Sequence, residues 1–182
     1  KWTPDGTFLI VTDVNSYDSS IAMLVQRGGQ VFTIAPPTLE APAQVIDQQR
    51  VGRFAEGVEV SDDGTLIASI AMERTYLPQL APLAVWPHRR RYSLMLLSLD
   101  PETGDLEKLD EIRAAGVLPE DVIFDETGRN LAVATFHRRK GPDRQRGFID
   151  FFSIEDGKLV AQNKTQAVMR GPHDLVRIPV ND

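Results

Sequence analysis

The sequence contains no cysteine. This absence excludes disulfide bonds, thiolate catalysis and any zinc or iron–sulfur site that Cys ligands would hold. The sequence also lacks an apolar run near the ~20 residues that a membrane-spanning helix needs, so we expect no insertion into a membrane. It has neither a Gly-x-Ser-x-Gly elbow nor a glycine loop that would cradle phosphate, which are short signatures of serine hydrolases and nucleotide-binding enzymes.

The charge balance is acidic. The 182 residues include 20 Lys and Arg against 26 Asp and Glu, a formal net charge of −6, which disfavours nucleic acid as a partner. The hydrophobic share of 42% and the charged share of 25% are typical of a folded domain that buries a core. We interpret Lys1-Trp2 as lying inside a strand, with a cut before it.

One stretch of the sequence returns several times. Residues 55–64 read Ala-Glu-Gly-Val-Glu-Val-Ser-Asp-Asp-Gly, and residues 119–128 read Pro-Glu-Asp-Val-Ile-Phe-Asp-Glu-Thr-Gly. Residues 2–6 match the end of this stretch, and residues 172–179 match its beginning. A stretch that recurs at intervals of several tens of residues is typical of propellers and solenoids.

The repeat predicts a regular order of short strands. We expect a strand A before each acidic Gly turn and a strand B after it, and the apolar B segments indicate burial on both faces. Each copy continues with a C–D hairpin closed by a turn that contains Gly. The predicted B strands are 7–12, 65–70 and 130–136, and the predicted C and D strands are 20–25 with 30–35, 92–99 with 106–112, and 148–154 with 159–163.

This order predicts an all-β fold, a β-propeller of about three four-stranded blades. The blades span approximately residues 1–50, 51–115 and 116–170, and residues 171–179 add one extra inner strand. An irregular β-sandwich is the competing interpretation, because it too is built from consecutive hairpins.

The repeated motif resembles that of seven-bladed propellers of the lactonase or YVTN-repeat type. Residues 119–128 carry the Pro-x-x-h-x-h-(S/D)-x-(D/T)-G pattern, where h is apolar, and residues 10–13 read Ile-Val-Thr-Asp where that family has Tyr-Val-Thr-Asn. The resemblance implies the C-terminal portion of a six- to eight-bladed ring, because three blades cannot close one. The missing half of the propeller would come from a longer chain or from a second copy. The motif identifies a propeller blade and does not identify a reaction. No catalytic residue of that family is therefore assigned to this chain.

Four residues are expected at one mouth of the central channel. In an A-B-C-D meander the D–A and B–C connections lie at the same edge, and Glu56, Glu120, His173 and Asp174 all precede a strand A. Carboxylates and an imidazole there are able to act as general acid and base. We predict no resident metal or cofactor. Calcium is the alternative, because related propellers hold it with channel carboxylates, although few ligands are available here. The competing interpretation is that these side chains are solvated or cap backbone amides.

The long B–C connections carry basic residues toward the same mouth. Arg89, Arg90 and Arg91 lie in one of them, and Arg138 and Arg139 lie in the next. Arginine pairs with carboxylate and phosphate, so these residues indicate an anionic ligand. Two solvated loops are the competing interpretation. In the same region, Trp86 would contact a partner or hold its loop against the propeller.

Two hypotheses for function follow. The first is a binding or scaffold module that holds an anionic small molecule or a protein partner at the channel mouth. The second is a lactonase-like hydrolase acting on a sugar-acid lactone, with His173, Glu120 and Glu56 as acid–base groups or metal ligands. The resemblance and the absence of Cys favour a periplasmic or secreted location, and a cytoplasmic location stays open.

Overall fold

A computed structural model describes residues 1–14, 28–73, 91–137, 146–169 and 171–178. Their regular structure consists of strands. The described strands are β1 Leu9–Asp13, β2 Gln30–Ala35, β3 Gln44–Arg50, β4 Ala55–Val60, β5 Leu66–Ala71, β6 Arg91–Leu99, β7 Leu106–Ala115, β8 Val117–Phe124, β9 Asn130–His137, β10 Gly147–Glu155 and β11 Lys158–Val168. Among the described residues, none forms a helix that is long and apolar enough to cross a membrane.

The strands form three antiparallel sheets in which neighbours in sequence are neighbours in space. The first sheet has the order β1-β2-β3, the second β4-β5-β6-β7 and the third β8-β9-β10-β11. In the first sheet a single bridge, Trp2 to Leu9, stands where the other sheets have a full inner strand. The predicted all-β fold of consecutive meander sheets is therefore confirmed.

Acidic turns close the first hairpin of each repeat. Gly6, Gly64 and Gly128 adopt φ angles of 73°, 74° and 66°, a left-handed conformation that Gly enters at little cost. An Asp one or three residues earlier (Asp5, Asp63 and Asp125) accepts hydrogen bonds from the residues that enter the next strand. Asp63 Oδ1, for example, accepts from Ser61 Oγ at 2.6 Å and from Thr65 N at 3.0 Å. Local turn chemistry therefore fixes the register of strands A and B.

The second sheet is the centre of the core, because both of its faces are covered. Alternate side chains of a strand point to opposite faces, so β5 and β6 supply two apolar layers. One layer packs against the first sheet and includes Ile67, Met95 and Leu97. The other packs against the third sheet and includes Ile70 and Leu96.

The structure corrects the strand assignment in the first sheet. We predicted that residues 30–35 form the outer strand D after a strand C at 20–25. Instead β2 pairs with β1 on one side and with β3 on the other, so it occupies the C position. Strand D is β3, which the sequence analysis did not find because Gln-Val-Ile-Asp-Gln-Gln-Arg is polar and its side chains are mostly exposed. Residues 20–25 lie outside the described part of the chain.

The predicted extra inner strand is not paired as a strand. Residues 171–178 follow β11 and carry no strand assignment, and no ladder of backbone hydrogen bonds pairs them with a described strand. They are held by individual contacts instead, among them a hydrogen bond of 2.6 Å from Arg177 Nη2 to Asp62 Oδ2. We call residues 171–178 the tail.

The third sheet has an apolar face that the residues described by the structure leave partly uncovered. A groove of about 360 Å³ runs along it, and Ile149 and Phe151 lie at its base beside Leu175 and Val176 of the tail. Val176 is 77% exposed. In the first sheet, Phe32 and Ile34 are only half-buried. Both terminal sheets therefore leave apolar side chains that no described residue covers.

Candidate functional site

The repeat brings three of the predicted residues to one edge of the sheets. Glu56 lies at the start of β4, and Glu120 lies at the same position in β8 relative to its turn glycine. The two strand starts are adjacent: a Cβ placed on Gly57 would lie 3.6 Å from the backbone oxygen of Glu120. Thr12 Oγ1, at the end of β1, donates a hydrogen bond of 2.9 Å to the backbone oxygen of Glu56. The start of β4 therefore lies beside the start of β8 and the end of β1, at the edge where we predicted the channel mouth.

His173 in the tail pairs directly with Glu120. His173 Nδ1 lies 3.2 Å from Glu120 Oε2, and the ring of Phe136 meets the imidazole edge to face at 5.6 Å between centroids. The Glu120 side chain is 15% exposed and that of His173 is 67% exposed. The carboxylate thus sits on the protein side of the pair, and the imidazole is accessible from solvent.

The Glu56 carboxyl group interacts electrostatically with Glu120 and His173. Partial desolvation and the nearby Glu120 carboxylate raise the pKa of Glu56, and His173 opposes this shift. A carboxyl group with a raised pKa is a better proton donor near neutral pH than an ordinary one. The mouth therefore combines an accessible imidazole, an orienting carboxylate and a second carboxyl group.

A second carboxylate contact, which the sequence analysis missed, involves the predicted residue Asp174. Burial raises the pKa of Asp121, and a hydrogen bond and the charge of Asp174 act in the same direction. The backbone N–H of Leu175 donates to Asp121 Oδ2 at 2.8 Å and fastens the tail to β8. The repeat contained the information needed to find this contact, because Asp121 follows Glu120 just as Asp174 follows His173 in the aligned copy.

Five of the predicted ligand-binding residues lie outside the described part of the chain: Trp86, Arg89, Arg90, Arg138 and Arg139. Their assignment as ligand-binding residues stays a prediction.

The remaining predicted arginine, Arg91, is exposed at the start of β6. It pairs with Ala115 at the sheet edge that leads into β8. Within the described part of the chain, no hydrogen bond or ion pair joins Arg91 to Glu56, Glu120 or His173.

The described residues of the mouth do not fit a calcium site. Ca²⁺ takes six to eight oxygen ligands, and no three His, Asp or Glu side chains of the described ranges are grouped so that they could hold a metal ion.

Comparison with known proteins shows the fold. The chain is similar to a periplasmic gluconolactonase of Pseudomonas aeruginosa, PpgL, with a TM-score of 0.64 and 18% identity over 98% of this chain and 42% of that one. It is also similar to a 6-phosphogluconolactonase candidate from Bacteroides fragilis, with a TM-score of 0.65 and 16% identity over 94% of this chain and 39% of that one. The chain has a β-propeller fold.

The likeness agrees with the resemblance of the repeated motif to lactonase-type propellers. No protein-family model and no curated protein sequence matches the chain. The chain spans about 40% of the length of the solved propellers that it resembles. At this level of identity the comparison establishes the architecture and leaves activity to the site itself.

Proposed function

We propose that the channel mouth hydrolyses a sugar-acid lactone. The contact between His173 Nδ1 and Glu120 Oε2 carries this proposal, because it holds an exposed imidazole in a fixed orientation at the mouth. Two similar propellers bear lactonase names, which supports the choice of substrate class.

The residues have separate roles in this reaction. His173 removes a proton from a water molecule, whose oxygen attacks the lactone carbonyl carbon. Glu120 accepts a hydrogen bond from His173 Nδ1 and stabilises the imidazolium that forms. The ring C–O bond then breaks, and the departing oxygen takes a proton from the Glu56 carboxyl group, giving the open hydroxy acid. Proton transfer from the imidazolium restores Glu56, so all protons are accounted for.

A binding module for an anionic small molecule or a protein partner is the second candidate function. Arg91 favours it, because this residue is exposed at the same edge of the sheets. An arginine of this kind is suited to hold a carboxylate or a phosphate.

Turnover of a lactone panel that includes glucono-1,5-lactone separates the two candidates. We expect wild-type turnover, a loss of about a hundredfold in kcat with His173→Gln and with Glu120→Gln, and no change with Glu126→Gln, an exposed turn carboxylate. Undetectable wild-type turnover, or turnover that survives both changes, contradicts the hydrolase. Binding of a lactone or its acid that is lost only with Arg91→Ala would then favour the binding module.

The proposal includes a partner and a location. Further propeller sheets, from a longer chain or from a second copy, cover the uncovered faces of the first and third sheets, because apolar faces of this kind need a packing partner. A periplasmic or secreted location goes with the proposal, since one similar propeller is a periplasmic gluconolactonase.

A further inference from the structure

Residues in a left-handed backbone conformation lead into the inner strands and the tail. Phe54, Leu118 and Gly171 adopt φ angles of 55°, 53° and 76°, a conformation that is uncommon for large side chains such as Phe and Leu. Each of them stands two positions before one of the mouth residues, which are Glu56, Glu120 and His173 in chain order. The three junctions that lead into the mouth therefore share one backbone geometry, and their side chains occupy equivalent positions.

A side chain from the end of the preceding strand B packs each junction. Val14, Met72 and Phe136 stand at the same distance after their turn glycines, at or next to the ends of β1, β5 and β9. In the first two junctions, Val14 and Met72 form one apolar cluster with Phe54 and Leu118. There, both sides of the junction contribute a side chain to the packing.

The third junction is packed from one side, by Phe136. A Cβ on Gly171 would lie 2.8 Å from Cε2 of Phe136, so no side chain fits there without displacing the ring. The Phe136 ring therefore fills the space that Phe54 and Leu118 share with smaller partners in the other junctions. Because Gly171 has no side chain, the ring also reaches His173, with 5.6 Å between centroids and 67° between planes. This is the edge-to-face arrangement that aromatic pairs favour.

Phe136 gives the imidazole a second support. The His173 side chain is 67% exposed, and an exposed side chain held by one hydrogen bond moves among several rotamers. The contact of Nδ1 with Glu120 fixes one atom of the imidazole, and Phe136 restricts the inclination of its ring. Together the two contacts define which nitrogen meets Glu120 and which remains available at the mouth.

We propose that Phe136 is a positioning residue that fixes the orientation of the His173 imidazole, and that Gly171 makes this contact possible. The role in catalysis rests on the lactone hydrolysis proposed above. While Nδ1 donates to Glu120, Nε2 carries the lone pair that removes a proton from water. Rotation of the imidazole about its Cβ–Cγ bond would take Nδ1 away from Glu120 and turn Nε2 away from the water. Phe136 opposes this rotation, so it acts through His173 and does not touch the substrate.

Replacing the packing of the third junction by that of the second tests the effect on catalysis. Phe136→Met combined with Gly171→Leu installs the pair that Met72 and Leu118 form one blade earlier, so we expect a folded protein. For lactone hydrolysis, kcat should fall about tenfold or more and KM should stay within about twofold, because a misaligned base affects the chemical step. Phe136→Tyr keeps the ring and should retain most of kcat. Phe32→Met, at a half-buried phenylalanine of the first sheet, is the matched control and should leave both constants unchanged.

Nitrogen NMR of the His173 imidazole distinguishes a failure of this inference from a failure of the proposed function, because it needs no turnover. In the wild type we expect neutral His173 to be mainly the tautomer protonated at Nδ1, and in Phe136→Met a mixture of both tautomers. His173→Gln identifies the signals among the three histidines of the chain. An unchanged tautomer balance in Phe136→Met overturns the positioning role, and so does an unchanged kcat where the wild type is active.

The remaining outcomes also decide between the two. A wild type without turnover, whose tautomer balance depends on Phe136, contradicts the hydrolase and supports the placement of His173 by Phe136. If the double variant fails to fold, Phe136→Met alone decides the effect on catalysis by the same criteria.

Discussion

His173 Nδ1 lies 3.2 Å from Glu120 Oε2, and the two residues are 53 positions apart in the sequence. The contact joins the tail to β8 and depends on where the backbone of the tail runs. Gly147 controls that path, because a Cβ on Gly147 would lie 2.2 Å from Pro172 Cδ and 2.8 Å from the backbone oxygen of Met169. A side chain at Gly147 must therefore displace the tail.

Gly147→Ala should lower kcat/KM for lactone hydrolysis by about tenfold or more, because an imidazole displaced by about 1 Å loses its alignment. Steady-state kinetics on the lactone panel measure this. A double-mutant cycle provides the control: combined with His173→Gln, the Gly147→Ala change should have little further effect. Additive losses would show that Gly147 acts by a route other than His173.

Replacing Asp121 should stabilise the protein at neutral pH. Burial raises the pKa of Asp121, so its ionised form is less favourable in the folded state than in the unfolded state. The protein is destabilised by this difference at pH values above the pKa of Asp121 in the folded state. The destabilisation vanishes below the pKa of Asp in the unfolded chain, which is about 4. Asp121→Asn should raise the melting temperature at pH 7 and change it little at pH 3, whereas Glu126→Gln should change it at neither pH. A lower melting temperature for Asp121→Asn at pH 7 would contradict this interpretation.

Asp125 should stabilise the third acidic turn. Its carboxylate accepts hydrogen bonds from Thr127 Oγ1 at 2.9 Å, from the backbone N–H of Arg129 at 3.0 Å and from Asn130 Nδ2 at 2.7 Å. Asp125→Ala should lower the free energy of unfolding by roughly 1–3 kcal/mol, as loss of hydrogen bonds to a charged group does. Urea denaturation measures the change, and Glu126→Ala in the same turn is the matched control. Equal effects of the two substitutions would contradict the role of Asp125.

The acidic turns should also make stability depend on pH. Hydrogen bonds from Thr3 and Thr7 lower the pKa of Asp5 to about 2, and those from Ser61 and Thr65 lower the pKa of Asp63. A carboxyl group whose pKa is lower in the folded chain than in the unfolded chain stabilises the folded state. This stabilisation is complete above the pKa of the unfolded chain, about 4, and is lost as the pH falls through the pKa of the folded chain. Urea denaturation between pH 5 and pH 2 should therefore show a falling free energy of unfolding. Replacing both residues with Asn should make the curve flatter, and an equally steep curve would refute the assignment.

The apolar faces of the first and third sheets predict that copies of this chain associate with one another. If further propeller sheets cover them, the 182-residue chain alone should form dimers or larger species, since exposed apolar sheet faces associate. Native mass spectrometry compared with the denatured mass measures this. Phe151→Asp, in the groove of the third sheet, should shift the distribution toward monomer, whereas Phe8→Asp, in the core, should unfold the chain. A wild-type chain that stays monomeric and binds no hydrophobic dye would contradict the proposed partner.

Much of the fold was predictable because the repeat encodes it locally. Acidic turns, each ending in Gly with a positive φ, mark the A–B hairpins, and apolar runs mark the buried B strands. Strand β3 was not predictable in this way: its side chains face solvent, so no apolar alternation marks it. The strand order β1-β2-β3 therefore contradicts the predicted position of residues 30–35.

The candidate site was predictable in position and only partly in composition. Strand direction alone places Glu56, Glu120 and His173 at one edge, where the structure brings them together. The contact of Asp121 with Asp174 depends on packing between segments that are distant in sequence.

The position of the second sheet between the other two determines which part of the molecule unfolds first. Within the described ranges it is covered on both faces, whereas the first and third sheets are each packed against another sheet on one face. Local opening takes the path that exposes the least apolar surface, so the outer sheets should separate from the second sheet before it unfolds. The backbone amides of β5 and β6 should therefore exchange hydrogen most slowly of all described strands. Cleavage of the folded protein by a protease should begin in the first or the third sheet, leaving the second as the last protected fragment.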